Sequence, residues 1–197
     1  MKISNKVLAL VFASVALAAC GSGGVTLTDS ERNLISGSDS VMRVLTVDSP
    51  EDLKVLRDTS VDFSHADFKT KEYRDLAAYM VATVTSPGQD GVGIAGPQVG
   101  LNRRIVAVQR FDKEGEPFEV YPNIRVTAKR GDLVAGREGC LSVPDTSSVV
   151  LRYPRVDIEY YDIASGRMVS ETVDGFSAVI FQHETDHLDG VLYIDYD

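Results

Sequence analysis

DGFSAVIFQHETDHLDG, residues 174 to 190, is the stretch on which the fold of this chain turns. Phe176, Val179, Ile180, His183 and His187 fall at relative positions 0, 3, 4, 7 and 11, the spacing of one helical face. The histidines therefore extend an apolar stripe, and the spacing predicts a helix whose HExxH face points inward. Asp174 is the candidate N-cap, and Gly190 the candidate residue just past the C-terminus. His183 and His187 stand about one turn apart, so both imidazoles can reach a single ion. Glu184 lies on a neighbouring bearing, where it could take a proton from water activated there. The plain alternative is a pair of hydrogen-bonded core histidines.

A catalytic site of tetrahedral geometry needs a third protein ligand. The chain has three histidines, and the remaining one, His65, stands far upstream in the polar stretch DFSHADF. Cys140, in REGCLSVP, is the better candidate. The chain has two cysteines, and the other, Cys20, belongs to an export signal described below. Cys140 is then an unpaired thiol, which calls for burial, a metal or a catalytic role. Thiolate and imidazole together suit Fe(II), Zn or Ni. A third stretch, DGVGIAGPQVG at residues 90 to 100, lies between a helix and a strand. Its glycines point to a backbone that approaches something closely. No Gly-Lys-Ser/Thr follows and no strand precedes it, so it is not a phosphate loop. Gln98 is its one side chain able to offer a neutral hydrogen-bond donor.

The chain has 197 residues, of which 44% are hydrophobic and 25% charged. That is room for one globular domain and little more. Its N-terminus is separate in character. MKISNK is basic, VLALVFASVALAA is apolar and too short to span a bilayer as a helix, and Cys20 follows. Residues 1–19 read as a signal peptide. Residues 20–40, starting with GSGGVTLTDSERNLISGSDS after Cys20, are rich in Gly and Ser and read as a flexible tether. Loss of residues 1–19 removes Lys2 and Lys6 and no acid, which takes the formal charge from −9 to −11. So acidic a chain argues against nucleic acid as a partner. Within the domain, KTKEYRDLAAYMVATV predicts a helix burying Tyr73, Leu76, Ala77, Met80 and Val84. RIVAV, PFEVY and VDIEYYD predict strands, the last with Val156, Ile158 and Tyr160 on one face. ASGR is a turn into the hairpin partner MVSETV.

GVGIAGPQ (91–98), EGCLS (138–142) and HETDH (183–187), in that order, resemble the peptide deformylase family over roughly residues 41–197. The resemblance implies an α+β fold, with mixed and antiparallel β-sheets around the C-terminal HExxH helix. It implies one divalent metal held by Cys140, His183 and His187, Fe(II) by family, with Zn or Ni also suited. Glu184 would be the general base. The Gln98 amide and the Leu141 backbone N–H would meet the oxyanion, and Gly93 would bind substrate through its backbone. The substrate implied is an N-formylated peptide or small formyl-amine. Glu138 is a candidate partner for Arg152 behind the Cys140 loop.

Four departures stand out. Gly96 replaces an alanine. Ser147 and Ser148 occupy the neighbourhood where many members place an arginine, and Tyr121 stands where asparagine is usual. Leu17-Ala18-Ala19-Cys20 resembles a lipoprotein lipobox, which implies lipidation of Cys20 and a membrane-anchored life in the bacterial cell envelope. An envelope amidase acting on another N-acyl substrate, or a non-enzymatic metal- or peptide-binding lipoprotein, are the competing readings.

Overall fold

The computed structural model describes residues 24–196. The expected signal peptide (1–19) and Cys20 lie outside the described residues. Strand β2 (Ile105–Gln109) is the middle strand of a three-stranded sheet and shows how the layers arise. Ile105 and Ala107 pack into one core cluster, with Leu76 and Met80 of helix α3 (Lys71–Val84). Val106 and Val108 pack into a second, with Ala178, Ile180 and Phe181 of helix α4 (Gly175–Leu188). Side chains alternate across a strand, so a run apolar at every position is one covered on both faces. β2 pairs antiparallel with β1 (Gly93–Ala95) on one side and β3 (Phe118–Pro122) on the other.

A second antiparallel sheet has the order β4 (Arg125–Arg130), β7 (Arg155–Asp162), β8 (Arg167–Asp174). The third is the hairpin of β5 (Val134–Cys140) and β6 (Val143–Arg152), with a register shift between Glu138 and Cys140. Among the described residues every pairing of these strands is antiparallel, and the parallel pairings are the isolated bridges Val25–Phe63 and Val61–Arg103. The β7–β8 turn forms as expected: the Asp162 carboxylate accepts from the Ala164 and Ser165 N–H groups at 3.2 and 2.9 Å. Along β7 the expected alternation fails at its end. Tyr161 is the buried tyrosine, stacked on Phe68 with centroids 4.5 Å apart, and Tyr160 is half-buried. Tyr161 finds an aromatic neighbour from the first core cluster, which a period-two pattern does not register.

The tether expectation needs correction over its described part. Helix α1 (Asp29–Ser36) starts at a capping box, in which Thr28 accepts from the Glu31 N–H and Glu31 accepts from the Thr28 N–H. Leu27 and Ile35 are buried in the α3 core. The Gly and Ser content reads as linker, but Thr28 to Glu31 is a T-x-x-E signature with Leu34 and Ile35 in the next turn, which marks a helix start. A second short helix, α2 (Pro50–Leu56), is capped by Ser49.

Candidate active site

Helix α4 begins and ends where expected. Asp174 occupies the N-cap position, although its carboxylate makes no cap bond and pairs with Arg155 instead. Gly190 follows the C-cap with φ +72, and a Cβ there would meet the Arg57 carbonyl oxygen at 2.5 Å. The helix is buried on nearly every side, and Gln182 pins it by two hydrogen bonds with the Tyr153 backbone, at 3.1 and 2.8 Å. One expectation fails: Phe176 is 54% exposed. It lies in the first turn, where the helix emerges at the mouth of a cavity, and its ring packs on Phe111 at 5.2 Å.

The remaining stripe does what its spacing predicts. His183, His187 and Cys140 present donor atoms all within 4.8 Å of one another. Cys140 comes from the end of β5, and its Sγ lies 3.2 Å from His187 Nε2. His65 is not brought to this point. It is exposed and packs on Tyr161, with ring centroids 4.5 Å apart. Glu138 and Arg152 pair as expected, through Oε1–Nε at 2.8 Å and Oε2–Nη2 at 3.0 Å. Glu138 also accepts from His183 Nδ1 at 2.9 Å, which leaves the other ring nitrogen for the site.

Two buried atoms in this cluster lack a protein partner, Glu184 Oε2 and His187 Nδ1. A buried polar group without a partner is expensive in a finished core. Burial pushes the Glu184 carboxyl up to about 7. For Glu138 burial works in the opposite sense to its hydrogen bonds with His183 and Arg152, and these win, holding it down to about 2. Burial likewise opposes protonation of His183, but hydrogen bonds with Cys140 and Glu138 raise it to about 10. Burial, then the neighbouring His183 charge, keeps His187 neutral, well below the usual imidazole range. The cluster is laid out as a place for a divalent ion, with its three donor atoms converging on one point. Three soft and borderline donors and an orphaned carboxylate beside them fit such an ion.

Gln98 sits in the 3-10 turn Gly96–Val99 and is 1% exposed. Its Oε1 accepts from the Ala95 N–H at 2.8 Å, which fixes which way the amide faces. Nε2 then donates to Ser142 Oγ at 3.1 Å and reaches Cys140 Sγ at 3.5 Å. The second contact is weak enough to yield to a better acceptor. Ser142, fully buried, stands within EGCLS without an expected role; its hydroxyl orients the Gln98 amide. Leu141 follows Cys140 and lines the cavity with Gly93, Gln98 and Glu184. The cavity measures about 360 Å³. A Cβ at Gly93 would meet Glu184 Oε1 at 2.4 Å, so glycine is what lets β1 pass the carboxylate. Ser147 accepts from Arg137 Nη1 at 2.8 Å, so the hairpin carries its cation on the opposite strand.

Fold and site together define the hydrolase class built on an HExxH helix, with a cysteine beside its two histidines as a candidate third metal ligand. The profile described as polypeptide deformylase matches residues 41–196. A peptide deformylase from Desulforudis audaxviator is 38% identical over 126 residues, 64% of this chain and 78% of that one. One from Caulobacter vibrioides is 36% identical over 159 residues, 80% of this chain and 88% of its own length. The Met-Ala-Ser-bound crystal structure of the class I type b peptide deformylase from Acinetobacter baumannii superposes with a TM-score of 0.69. It is 32% identical and covers 80% of this chain and 98% of that one. The chain belongs to the polypeptide deformylase family.

Proposed function

We infer that this chain hydrolyses the formyl group from N-formyl-methionine-type peptides, releasing formate and a free amine. The observation that carries the reading is the orphaned Glu184 carboxylate beside the Cys140, His183 and His187 donors. When bound, the divalent ion supplies Lewis acidity to the formyl oxygen and makes water at the site more acidic. Glu184 takes the proton from the attacking water and hands it to the amine nitrogen as the C–N bond breaks. Gln98 Nε2 and the Leu141 N–H meet the formyl oxygen as its charge grows. Gly93 lies on β1, an edge strand of its sheet, which leaves backbone for an extended peptide to run along. Ile180, Val179 and Leu141 offer the apolar wall for a methionine-like side chain.

Fe(II) is the ion proposed, with Zn and Ni acceptable to the same donors. Cys20 is proposed to carry lipid and to hold the protein in the cell envelope, on the strength of the apolar leader and the LAAC quartet. Fractionation and mass measurement of the mature protein test that address; an unlipidated cytosolic protein overturns it. The activity is tested by loading the chain anaerobically and following formate from formyl-Met-Ala-Ser, with acetyl-Met-Ala-Ser in parallel. Metal-dependent formate release, with the acetyl peptide turned over far more slowly, is the expected result. Equal or better cleavage of the acetyl peptide replaces deformylation with a broader amidase.

A further inference from the structure

Residues 24–38 precede the family match at residue 41, yet they reach the turn that carries Gln98. The joint is Arg103, only 2% exposed. Its Nε donates to Glu31 Oε1 at 2.6 Å, and its Nη2 donates to Glu31 Oε2 at 2.7 Å and to the Thr26 carbonyl at 2.9 Å. Nη1 donates to the Val25 carbonyl. A buried guanidinium stripped of its carboxylate is costly, so this joint is stiff. The Arg103 backbone meets the other side. A Cβ at Gly96 would lie 2.6 Å from the Arg103 carbonyl oxygen and 2.8 Å from that of Leu101. The Leu101 N–H donates to the Gly96 carbonyl at 3.0 Å. At the far end of the turn, Gly100 has φ +88, and a Cβ there would lie 3.2 Å from Leu34 Cδ2 of α1. Both ends of the Gln98 turn therefore rest on what α1 holds. Glycine at 96, a departure from the family pattern, is what this close approach requires.

We propose that residues 24–38 are a working part of the deformylase site, in which the Glu31–Arg103 pair and the close approach of Leu34 to Gly100 hold the turn that aims Gln98. Glu31 and Leu34 are positioning residues and touch no substrate. The proposal rests on the reading of Gln98 as an oxyanion donor. A misplacement on the order of 1 Å at such a donor can cost up to about a hundredfold in rate, and a loosened turn is given about tenfold.

The test uses the full chain, metal-loaded, with kcat and KM for formate release, metal content and thermal midpoint measured together. Glu31→Ala is expected to lower kcat by about tenfold with KM little changed and metal content intact at a temperature where the protein is folded. Leu34→Ala, milder for folding, is expected to shift kcat in the same sense. In a Gln98→Ala background neither substitution should lower kcat further, because the donor they aim is gone. Unchanged kcat in both variants, or full multiplication of their effects with Gln98→Ala, overturns the proposal. If Gln98→Ala alone leaves kcat unchanged, the oxyanion reading itself has failed, which that variant shows independently of Glu31.

Discussion

Two buried polar clusters flank helix α4, and they are finished differently. On the Phe181 side, Arg110 is 2% exposed and every guanidinium nitrogen has an acceptor. Asp112 takes two bonds, at 2.8 and 2.6 Å, and Glu171 one at 2.6 Å, while Tyr121 links Arg110 to Glu119. On the His183 side, Glu184 Oε2 and His187 Nδ1 have no protein partner, and the Cys140 thiol faces two imidazoles. The first cluster is complete as folded, so its charges serve the fold. The second leaves donors and a carboxylate for something that arrives later, which is how a functional site differs from a structural ion pair.

Substitutions break this contrast in order of size. Cys140→Ser should do the most damage: formate release falls to background and bound metal is lost, while the far-UV spectrum is retained. Retained metal and activity would remove the cysteine from the donor set. Glu138→Gln weakens the His183 hydrogen bond and the Arg152 pair, and should reduce metal affinity by about 10- to 100-fold in a chelator competition. Arg110→Met acts on the other cluster. It should cost about 2–4 kcal/mol in urea unfolding and leave the kcat of the folded enzyme unaltered. A fall in kcat without loss of stability would make the two clusters one system.

The smallest effect is acid dependence. The hydrogen bonds from Arg110 hold the Asp112 carboxyl down to about 2, below its ordinary 3.8. Its contribution to stability is therefore present in full above the unfolded value and is lost as pH falls through about 2. Asp112→Asn should flatten the unfolding midpoint's dependence on pH between about 4 and 2. An unchanged acid limb would separate Asp112 from Arg110.

The functional cluster was the more legible of the two. Its histidines lie on one helix at a spacing that states their direction, and its cysteine was the unpaired one, so short-range pattern sufficed. The Arg110 cluster draws Asp112 from the turn after β2, Glu119 and Tyr121 from β3 and Glu171 from β8, and no local period links them all. Tyr121 stood out in the sequence as a departure, but its partners are set by how β2, β3 and β8 come together. Helix α1 was hidden for another reason. Its glycine and serine content reads as linker, while Ile35 and the Thr28–Glu31 box matter only once α3 and Arg103 are there to receive them. Phe176 shows the limit of helical spacing, which gives a face but not where that face leaves the core.

The central claim is that Glu184 is the site's base and not another buried acid. Glu184→Gln keeps the shape and all three candidate metal donors while removing the proton acceptor. Metal content and thermal midpoint of the variant, measured beside formate release from formyl-Met-Ala-Ser, test it most directly. The account predicts unchanged metal content and a kcat lower by about 10²- to 10⁴-fold. Formate release within a few-fold of the parent chain, with the metal still bound, would contradict it.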